Sequence, residues 1–297
     1  MPESPEVQAL ADDLGRRLAG HEIRGVDVLE FRVTKTRARP LESLVGRRVA
    51  GVTRRGKLLD VTLDDDAHFV VSLGRHGWAR YGGAEATVAE ASVAEASIAE
   101  APNAEAEPPP PALVSIEFDD GAMLELTDAG DWISLGGWVV DDPFEVPAVA
   151  KLGPDPADPD FTRADFDAGV VGRRKQVKAV LQEQESLAGI GNAYSDEILH
   201  AAQLSPVAHA ASLGDDELER LFASTVGVIT EAVAARSGVP IDQLKAAKVA
   251  AMRVHGRTGE PCPRCGDEIR DFSFASTTAQ YSATCQTGGE VLPLRES

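Results

Sequence analysis

The hydrophobic pattern of the chain changes once, from the two-residue period of β-strands to the longer period of helices. Residues 114–118 and 124–126 alternate apolar with polar side chains around a turn at Asp120-Gly121, which predicts a β-hairpin. After the prolines at 154–159 the apolar residues recur at helical spacing instead. Strands followed by helices exclude the alternating order of a parallel α/β sheet and predict an α+β chain of several domains.

Further elements are expected on the same grounds. Short alternating strands joined by tight turns predict an N-terminal antiparallel β-sandwich flanked by helices. The later helices predict a C-terminal bundle. Strands are expected over 23–33, 59–63 and 69–73, and helices over 5–18, 162–170, 173–185, 195–203 and 215–236.

A low-complexity segment interrupts the strand region at residues 82–112. It repeats a five-residue unit, VAEAS, with small variations, and it carries six glutamates but no lysine. A period of five matches neither a buried helix nor a buried strand, so we expect an acidic insertion in a mobile loop. A solvated Ala/Glu helix is the alternative.

The net charge argues against a nucleic-acid partner, but its distribution argues for one. The chain has 29 Lys+Arg against 48 Asp+Glu, a net charge of −19, whereas phosphate neutralisation dominates nucleic-acid affinity. The basic residues nevertheless cluster at 32–39, 47–57, 173–178 and 245–257. We expect one basic face on an acidic body, with solvated surface charges as the alternative.

Nothing in the sequence predicts a membrane protein or a secreted one. No apolar run approaches the roughly 18 residues of a transmembrane helix, and the start MPESPEVQ lacks the basic and apolar parts of a signal peptide. The three cysteines cannot all pair within the chain. Their spacing indicates a metal site in a reducing compartment, so a cytoplasmic location is expected.

The N-terminus carries a candidate nucleophile. Removal of the initiator methionine would expose the secondary amine of Pro2, and a free α-amine has a pKa of about 8. Such an amine can attack an electrophilic carbon and form an iminium, while the neighbouring Glu3 could move protons. The alternative is that Pro2 and Glu3 only begin the helix expected at 5–18.

Gly189-Ile190-Gly191-Asn192 forms a glycine turn between two expected helices. Glycines let backbone N–H groups approach a phosphate, and a helix N-terminus adds positive potential. The turn could equally be a helix–turn–helix corner without a ligand.

The C-terminal module has the spacing of a zinc ribbon with one ligand missing. Cys262 and Cys265 are followed by Ser282 and Cys285, whereas a four-thiolate ribbon would have cysteine at 282. A neutral hydroxyl is a poor zinc ligand beside thiolates. Either Zn²⁺ binds three thiolates plus water or a nearby side chain such as His255, or the module folds without metal.

Residues that carry a family resemblance extend over nearly all the chain outside the insertion and the last ten residues. They are PESPE at 2–6, RGKLL at 55–59, LGPDP at 152–156, Lys178, Gln184, AGIGNAY at 188–194, DEIL at 196–199, VHGRTGEPCPRCG at 254–266 and CQ at 285–286. Together they resemble the bifunctional DNA glycosylases that excise oxidised bases, formamidopyrimidine-DNA glycosylase and endonuclease VIII.

This resemblance implies a division of the chain into functional parts. They are a catalytic β-sandwich domain at 1–145, a linker at 146–160, a helix–two-turn–helix domain at 161–251, a zinc-finger-like ribbon at 252–288 and a tail at 289–297.

The resemblance also implies an activity and its residues. The protein would be a monomeric base-excision-repair glycosylase with AP lyase activity on damaged double-stranded DNA. Pro2 would attack sugar C1′, Glu3 would donate and accept protons, and Lys57 would contact a phosphate and assist β-elimination. The implied DNA contacts are Lys178, Gly191, Asn192 and Arg257, and the implied zinc ligands are Cys262, Cys265 and Cys285.

The sequence departs from the family pattern at positions that grip DNA. Thr277 stands where the ribbon of the family has an arginine, and a hydroxyl cannot replace a guanidinium fork. Arg75 and Gly130 stand where the family has other residues to fill the gap left by a flipped base. Trp132 is expected in the core, with a wedge between bases as the alternative. These departures leave open a relative that binds damaged DNA without catalysis.

Overall fold

The computed structural model describes residues 1–83, 109–274 and 277–293, so most of the expected insertion lies outside the described residues. Contacts divide the chain into two compact units. The first contains Met1–Pro2, Leu10–Arg54 and Leu58–Val146, and the second contains Glu3–Ala9, Arg55–Lys57 and Pro147–Ser297. The domain boundaries expected at 145, 160, 251 and 288 stay predictions.

The described residues in the first part of the chain form one long helix and eight strands. They are α1 (Ser4–Leu18), β1 (Ile23–Val28), β2 (Val49–Arg55), β3 (Leu58–Leu63), β4 (His68–Ser72), β5 (Gly77–Gly83), β6 (Ala112–Phe118), β7 (Ala122–Asp128) and β8 (Gly136–Val140). Short 3-10 turns lie at Phe31–Val33, Leu41–Leu44 and Pro143–Glu145.

The strands form two four-stranded sheets, in the orders β1-β6-β7-β5 and β2-β3-β4-β8. The expected hairpin is β6 and β7, which pair antiparallel with Ile116 opposite Leu124. Gly121 in its turn has φ +81°, a conformation that glycine adopts without strain. The antiparallel sheets followed by helices confirm the α+β fold class.

The helix expected at 5–18 is α1. Its apolar stripe of Val7, Leu10, Leu14 and Leu18 is at most 1% exposed, because these side chains face the core. Gly20, with φ +86°, follows the helix and ends it as the sequence indicates.

The second part of the chain is mostly helical and ends in a small β-ribbon. Its elements are α2 (Pro147–Ala150), α3 (Arg163–Val170), α4 (Val177–Gln182), α5 (Asn192–Ala202), α6 (Asp215–Arg236), α7 (Leu244–Ala251), β9 (Ile269–Phe274), β10 (Thr277–Ser282) and α8 (Ala283–Gln286), with a 3-10 turn at Ala210–Ser212. Buried side chains of α3 to α6, among them Phe166, Leu181, Ile198 and Leu221, form one hydrophobic core.

Two elements are much shorter than expected, whereas the others differ by at most three residues at their ends. The helix expected over 173–185 is only α4, because the backbone of residues 173–176 bonds instead to residues 208–211: Ala210 N–H donates to Lys175 O, and Ala211 N–H donates to Arg173 O. The strand expected over 23–33 ends at Val28 and is followed by a 3-10 turn.

The expectation of a core tryptophan is wrong. Trp132 is 83% exposed, since it lies in the turn between β7 and β8 and not in either strand. Among the helices within the described ranges, none is long and apolar enough to cross a membrane.

Candidate active site and metal centre

The carboxylate of Glu3 caps the N-terminus of α5. The backbone N–H of Gly191 donates to Oε2, that of Tyr194 donates to the same oxygen at 3.3 Å, and that of Ala193 donates to Oε1 at 3.0 Å. The first N–H groups of a helix have no partner inside it and form the positive end of its dipole. Glu3, only 1% exposed, is therefore held rigidly as an anion.

This arrangement differs from the phosphate cradle that the glycine turn predicts. The anion on these N–H groups is the protein's own carboxylate. Gly191 has extended backbone angles, so its conformation does not require glycine. Its lack of a side chain is what matters, since a Cβ there would lie 2.6 Å from Glu3 Cδ and 2.9 Å from Lys57 Nζ.

A second carboxylate and a second lysine complete this buried cluster. Lys248 Nζ lies 3.3 Å from Glu3 Oε1 and 3.1 Å from Glu6 Oε2. The hydroxyl of Tyr194 donates to Glu6 Oε1 at 2.8 Å. Lys248 also lies over the Tyr194 ring, 5.0 Å from its centroid. Both carboxylates thus have cationic and hydrogen-bonding partners, as buried charges require.

The charges in the cluster set the protonation of its members. Burial alone would raise the pKa of Glu3, but Lys248, Lys57 and the N–H groups of Gly191 and Ala193 hold that pKa below its ordinary value. Burial lowers the pKa of Lys57, and repulsion by Lys248 acts in the same direction. For Lys248, burial is outweighed by Glu3 and Glu6, which raise its pKa. Glu3 is therefore a carboxylate near neutral pH.

The candidate nucleophile directly precedes this carboxylate in the chain. Pro2 is buried, whereas Met1 is 52% exposed and so accessible to processing. The second candidate lysine, Lys178, is buried as well. Its ammonium donates to Asn192 O at 3.2 Å and to Ser195 Oγ at 3.0 Å, and it forms an ion pair with Asp196.

The remaining candidate DNA contacts flank these elements. Asn192 begins α5, and its Oδ1 accepts a hydrogen bond of 3.1 Å from Gln182. Arg257 follows α7 and donates to Met252 O at 3.3 Å and to Val249 O at 3.2 Å. Its side chain is 31% exposed and lies 3.5 Å from Glu260.

The turn after α7 is organised by a buried carboxylate on α5. Glu197 accepts the backbone N–H groups of Arg253, Val254 and His255 at 2.9–3.1 Å. Charge-assisted hydrogen bonds of this kind are about twice as strong as neutral ones. Glu197 thereby fixes the start of the ribbon relative to α5.

Two of the three cysteines converge with a histidine, and the third lies beside Ser282. Cys262 Sγ lies 3.9 Å from Cys285 Sγ and 3.2 Å from His200 Nε2. Cys265 Sγ lies 3.2 Å from Ser282 Oγ, and this hydroxyl lowers the pKa of the Cys265 thiol to about 7. Burial lowers the pKa of His200, which favours the neutral imidazole that binds metals.

These donors fit a zinc ion. Zn–S bonds of about 2.3 Å at a tetrahedral angle place two sulfurs about 3.8 Å apart, close to the separation of Cys262 and Cys285. With a Zn–N bond of about 2.0–2.1 Å, sulfur and nitrogen lie about 3.5 Å apart. The donor atoms of His200, Cys262 and Cys285 all lie within 4.8 Å of one another.

The structure corrects the expected auxiliary ligand. The histidine grouped with Cys262 and Cys285 is His200 and not His255, whose Nδ1 lies 2.8 Å from Asp196 Oδ2. Sequence reasoning missed His200, whose only signal is a polar residue between the apolar pairs Ile198-Leu199 and Ala201-Ala202. It also missed Lys248, which was only one member of a basic cluster.

Profiles of three known domains match successive parts of the chain. They are the formamidopyrimidine-DNA glycosylase N-terminal domain at residues 1–131, the formamidopyrimidine-DNA glycosylase H2TH domain at 152–242, and the zinc finger found in FPG and IleRS at 259–288.

Individual relatives match the chain over almost its full length. The formamidopyrimidine-DNA glycosylase of Geobacillus kaustophilus is 32% identical, with 96% of this chain and 100% of that protein covered. The structure of the MutM (Fpg) protein of Thermus thermophilus superimposes with a TM-score of 0.77 at 27% identity, covering 96% and 99%. The fold also matches Lactococcus lactis Fpg bound to DNA with an AP site, with a TM-score of 0.76 at 24% identity, covering 96% and 99%.

Proposed function

The chain belongs to the formamidopyrimidine-DNA glycosylase family, and we propose that it excises oxidised bases from double-stranded DNA through a covalent intermediate at Pro2. It is a base-excision-repair enzyme, a DNA N-glycosylase with AP lyase activity. The observation that carries the residue assignment is the buried carboxylate of Glu3, held by the N-terminus of α5 directly after Pro2.

In the proposed reaction, removal of Met1 frees the secondary amine of Pro2. Its nitrogen attacks C1′ of the damaged nucleotide, and the bond from C1′ to the base breaks as the base leaves with a proton. The sugar ring opens and leaves an iminium between Pro2 and C1′. The iminium acidifies the C2′ proton, so its removal expels the 3′ phosphate by β-elimination. Water then hydrolyses the iminium and frees Pro2.

Glu3 starts this reaction as an anion. A carboxylate beside the reacting carbon stabilises the positive charge that develops when the base leaves. It can also take the proton that the amine of Pro2 loses on attack and return it in a later step. The three N–H donors and Lys248 support this role, because they keep the carboxylate ionised and fixed in direction.

Lys57 is the proposed partner for the elimination step. Its lowered pKa makes proton exchange easier near neutral pH, while its charge can still attract a phosphate. Lys248 is the proposed positioning residue for Glu3. It touches both Glu3 and Glu6, and no step of the reaction is assigned to it.

The proposed DNA contacts are of two kinds. Asn192 and Arg257 would hold the backbone that flanks the lesion, since phosphate and sugar contacts fix the register of the DNA. Gly191 would act by shaping the turn, because its N–H donates to Glu3. Lys178 is 4% exposed, so it would act from behind the turn by bonding the carbonyl of Asn192. The damaged base itself must leave the stack to reach a buried nucleophile.

The ribbon would support this site without entering the chemistry. When bound by Cys262, Cys265 and Cys285, zinc supplies folding energy to the module. We further propose that the protein acts as a monomer in the cytoplasm and associates with the nucleoid when it acts on DNA.

Borohydride trapping tests the proposal. The full chain is incubated with duplexes that contain an oxidised purine, an oxidised pyrimidine or an AP site, and borohydride reduces the iminium to a stable amine adduct. We expect an adduct with wild type and with P5A, which keeps the N-terminal residue, but none with P2G and little with E3Q. Mass spectrometry of the same samples reports whether Met1 is removed. Trapping by P2G at the wild-type level would refute the role of Pro2.

The alternative is a relative that binds damaged DNA without catalysis. It is motivated by Thr277, which stands where the family ribbon carries an arginine. It predicts structure-selective binding to damaged duplex without strand cleavage. Turnover that disappears in P2G or E3Q would exclude it.

A further inference from the structure

The ribbon lacks one of the four donors that a closed zinc site requires. Structural zinc sites are almost always four-coordinate, and the usual sets are Cys₄, Cys₃His and Cys₂His₂. This chain has only three cysteines, and Ser282 stands at the fourth ribbon position. A closed site therefore needs a donor from outside the four ribbon positions.

We propose that His200, carried by α5, is the fourth zinc ligand of this protein. Its Nε2 lies 3.2 Å from Cys262 Sγ and, with Cys285 Sγ, forms a set of donor atoms within 4.8 Å of one another. His200 is only 5% exposed, so its ring is already held against the thiols. The result is a Cys₃His site.

The third thiol lies close to this set. Cys265 Sγ lies 3.2 Å from Ser282 Oγ, the same oxygen that accepts the backbone N–H of Cys285, so a small movement of the Cys265 side chain would complete the set. Each thiol loses a proton on binding the metal, so the site would combine three thiolates with one neutral imidazole. Both donor types are standard for zinc, whereas an alcohol hydroxyl is a harder and weaker ligand.

Ser282 has a different part to play. It is the N-cap of α8, and its Oγ accepts the backbone N–H of Cys285 at 3.4 Å. Its backbone N–H donates to Gln286 Oε1 at 3.0 Å. Serine is a favoured N-cap residue, so it orients the helix that carries Cys285 without binding the ion.

The number and type of zinc ligands distinguish this proposal from its main alternative. In the competing arrangement Ser282 or a water completes the site, and His200 only donates a hydrogen bond to the Cys262 thiolate. X-ray absorption at the zinc edge on the full-length, zinc-loaded protein distinguishes them, because imidazole gives a characteristic scattering pattern. We expect three sulfur neighbours and one imidazole nitrogen.

Variants then show which residue supplies the nitrogen ligand. H200Q should lose the imidazole pattern and bind zinc at least about 100-fold more weakly in chelator competition, since outer-shell changes alone cost roughly 10–100-fold. S282A should keep the imidazole pattern and lose less affinity than H200Q, because Ser282 only orients α8. H209Q, which replaces a histidine whose ring faces Arg174 O, should keep both the pattern and the affinity. H200Q/S282C should recover tight zinc binding with four sulfurs, which shows that H200Q does not simply unfold.

Three results would overturn the proposal. The first is a wild-type protein that has no imidazole at zinc or does not bind zinc tightly. The second is an H200Q variant that keeps the wild-type scattering pattern. The third is an S282A variant that loses zinc as H200Q does. None of these readouts depends on DNA cleavage, so the ligand assignment and the proposed function can fail separately.

Discussion

The ammonium nitrogen of Lys248 lies 3.3 Å from a carboxylate oxygen of Glu3. The same nitrogen lies 3.1 Å from Glu6, so one lysine of α7 serves two buried carboxylates at the start of α1. A buried carboxylate without such a partner would take up a proton more readily. The protonation of Glu3 thus depends on Lys248, which lies 245 residues later in the chain.

Removing this charge should shift the pH dependence of catalysis. Lys248 lowers the pKa of Glu3, so K248M raises that pKa, and Glu3 takes up a proton at higher pH than in wild type. The acidic limb of the pH profile of kcat/KM for base excision should move upward, and activity at low pH should fall first. K245M, on the same helix, is the matched control. An unchanged acidic limb in K248M would contradict the positioning role.

A methyl group at residue 191 should disable the site. The Cβ of G191A would lie 2.6 Å from Glu3 Cδ, so the carboxylate or the turn must move. A displacement of about 1 Å in a catalytic group costs about 100-fold in rate, and we expect a loss of that size in single-turnover base excision.

The control for that variant is G227A in α6, where nothing lies within 4 Å of the new Cβ. It should keep full activity and gain about 0.5–1 kcal/mol in the free energy of unfolding, because alanine favours helices over glycine. Equal activities of G191A and G227A would count against the assigned role of Gly191.

Loss of the Glu197 charge should destabilise the protein. The carboxylate of Glu197 accepts three consecutive backbone N–H groups. In E197Q one of its oxygens becomes an NH₂ group, which donates and cannot accept, so at least one of these hydrogen bonds is lost. Hydrogen bonds to charged groups contribute about 1.5–3 kcal/mol, and we expect a loss of about 2 kcal/mol in denaturant unfolding. E231Q, whose carboxylate is 72% exposed beside Arg253, should change stability by less than about 1 kcal/mol.

Salt dependence should separate the two kinds of DNA contact. R257M removes a partly exposed cation, so the slope of log Kd against log salt concentration should fall by about one. K178M removes a buried one, which should weaken binding and stability while leaving the slope unchanged. Binding titrations at several salt concentrations measure both. A reduced slope in K178M would show that Lys178 meets phosphate directly.

Local patterns in the sequence predict much of the fold. The stripe of α1 and the alternation in β6 and β7 are set by burial and by tight turns, which neighbouring residues encode. The shortening of α4 is different. It depends on hydrogen bonds from residues 173–176 to a segment more than 30 residues later, and no local pattern reports such a partner.

The site shows the same division. Pro2, Glu3 and the cysteines stand out in the sequence because their chemistry or spacing is unusual. Lys248 and His200 do not stand out. Each meets its partner, Glu3 or Cys262, only when distant parts of the chain fold together. The anion at the glycine turn could not be identified from sequence either, because a helix N-terminus attracts a carboxylate as well as a phosphate.

Helix α5 has only 11 residues, and its two ends contact two different sites, the Glu3 carboxylate and the cysteines of the ribbon. Its first turn holds Glu3, and about 12 Å further on, in its last turn, stands His200 beside Cys262. A helix this short is stiff, so a displacement of one end is transmitted to the other end. Removal of metal from the ribbon should therefore slow base excision, because a tilt of α5 would displace the carboxylate of Glu3 at its other end.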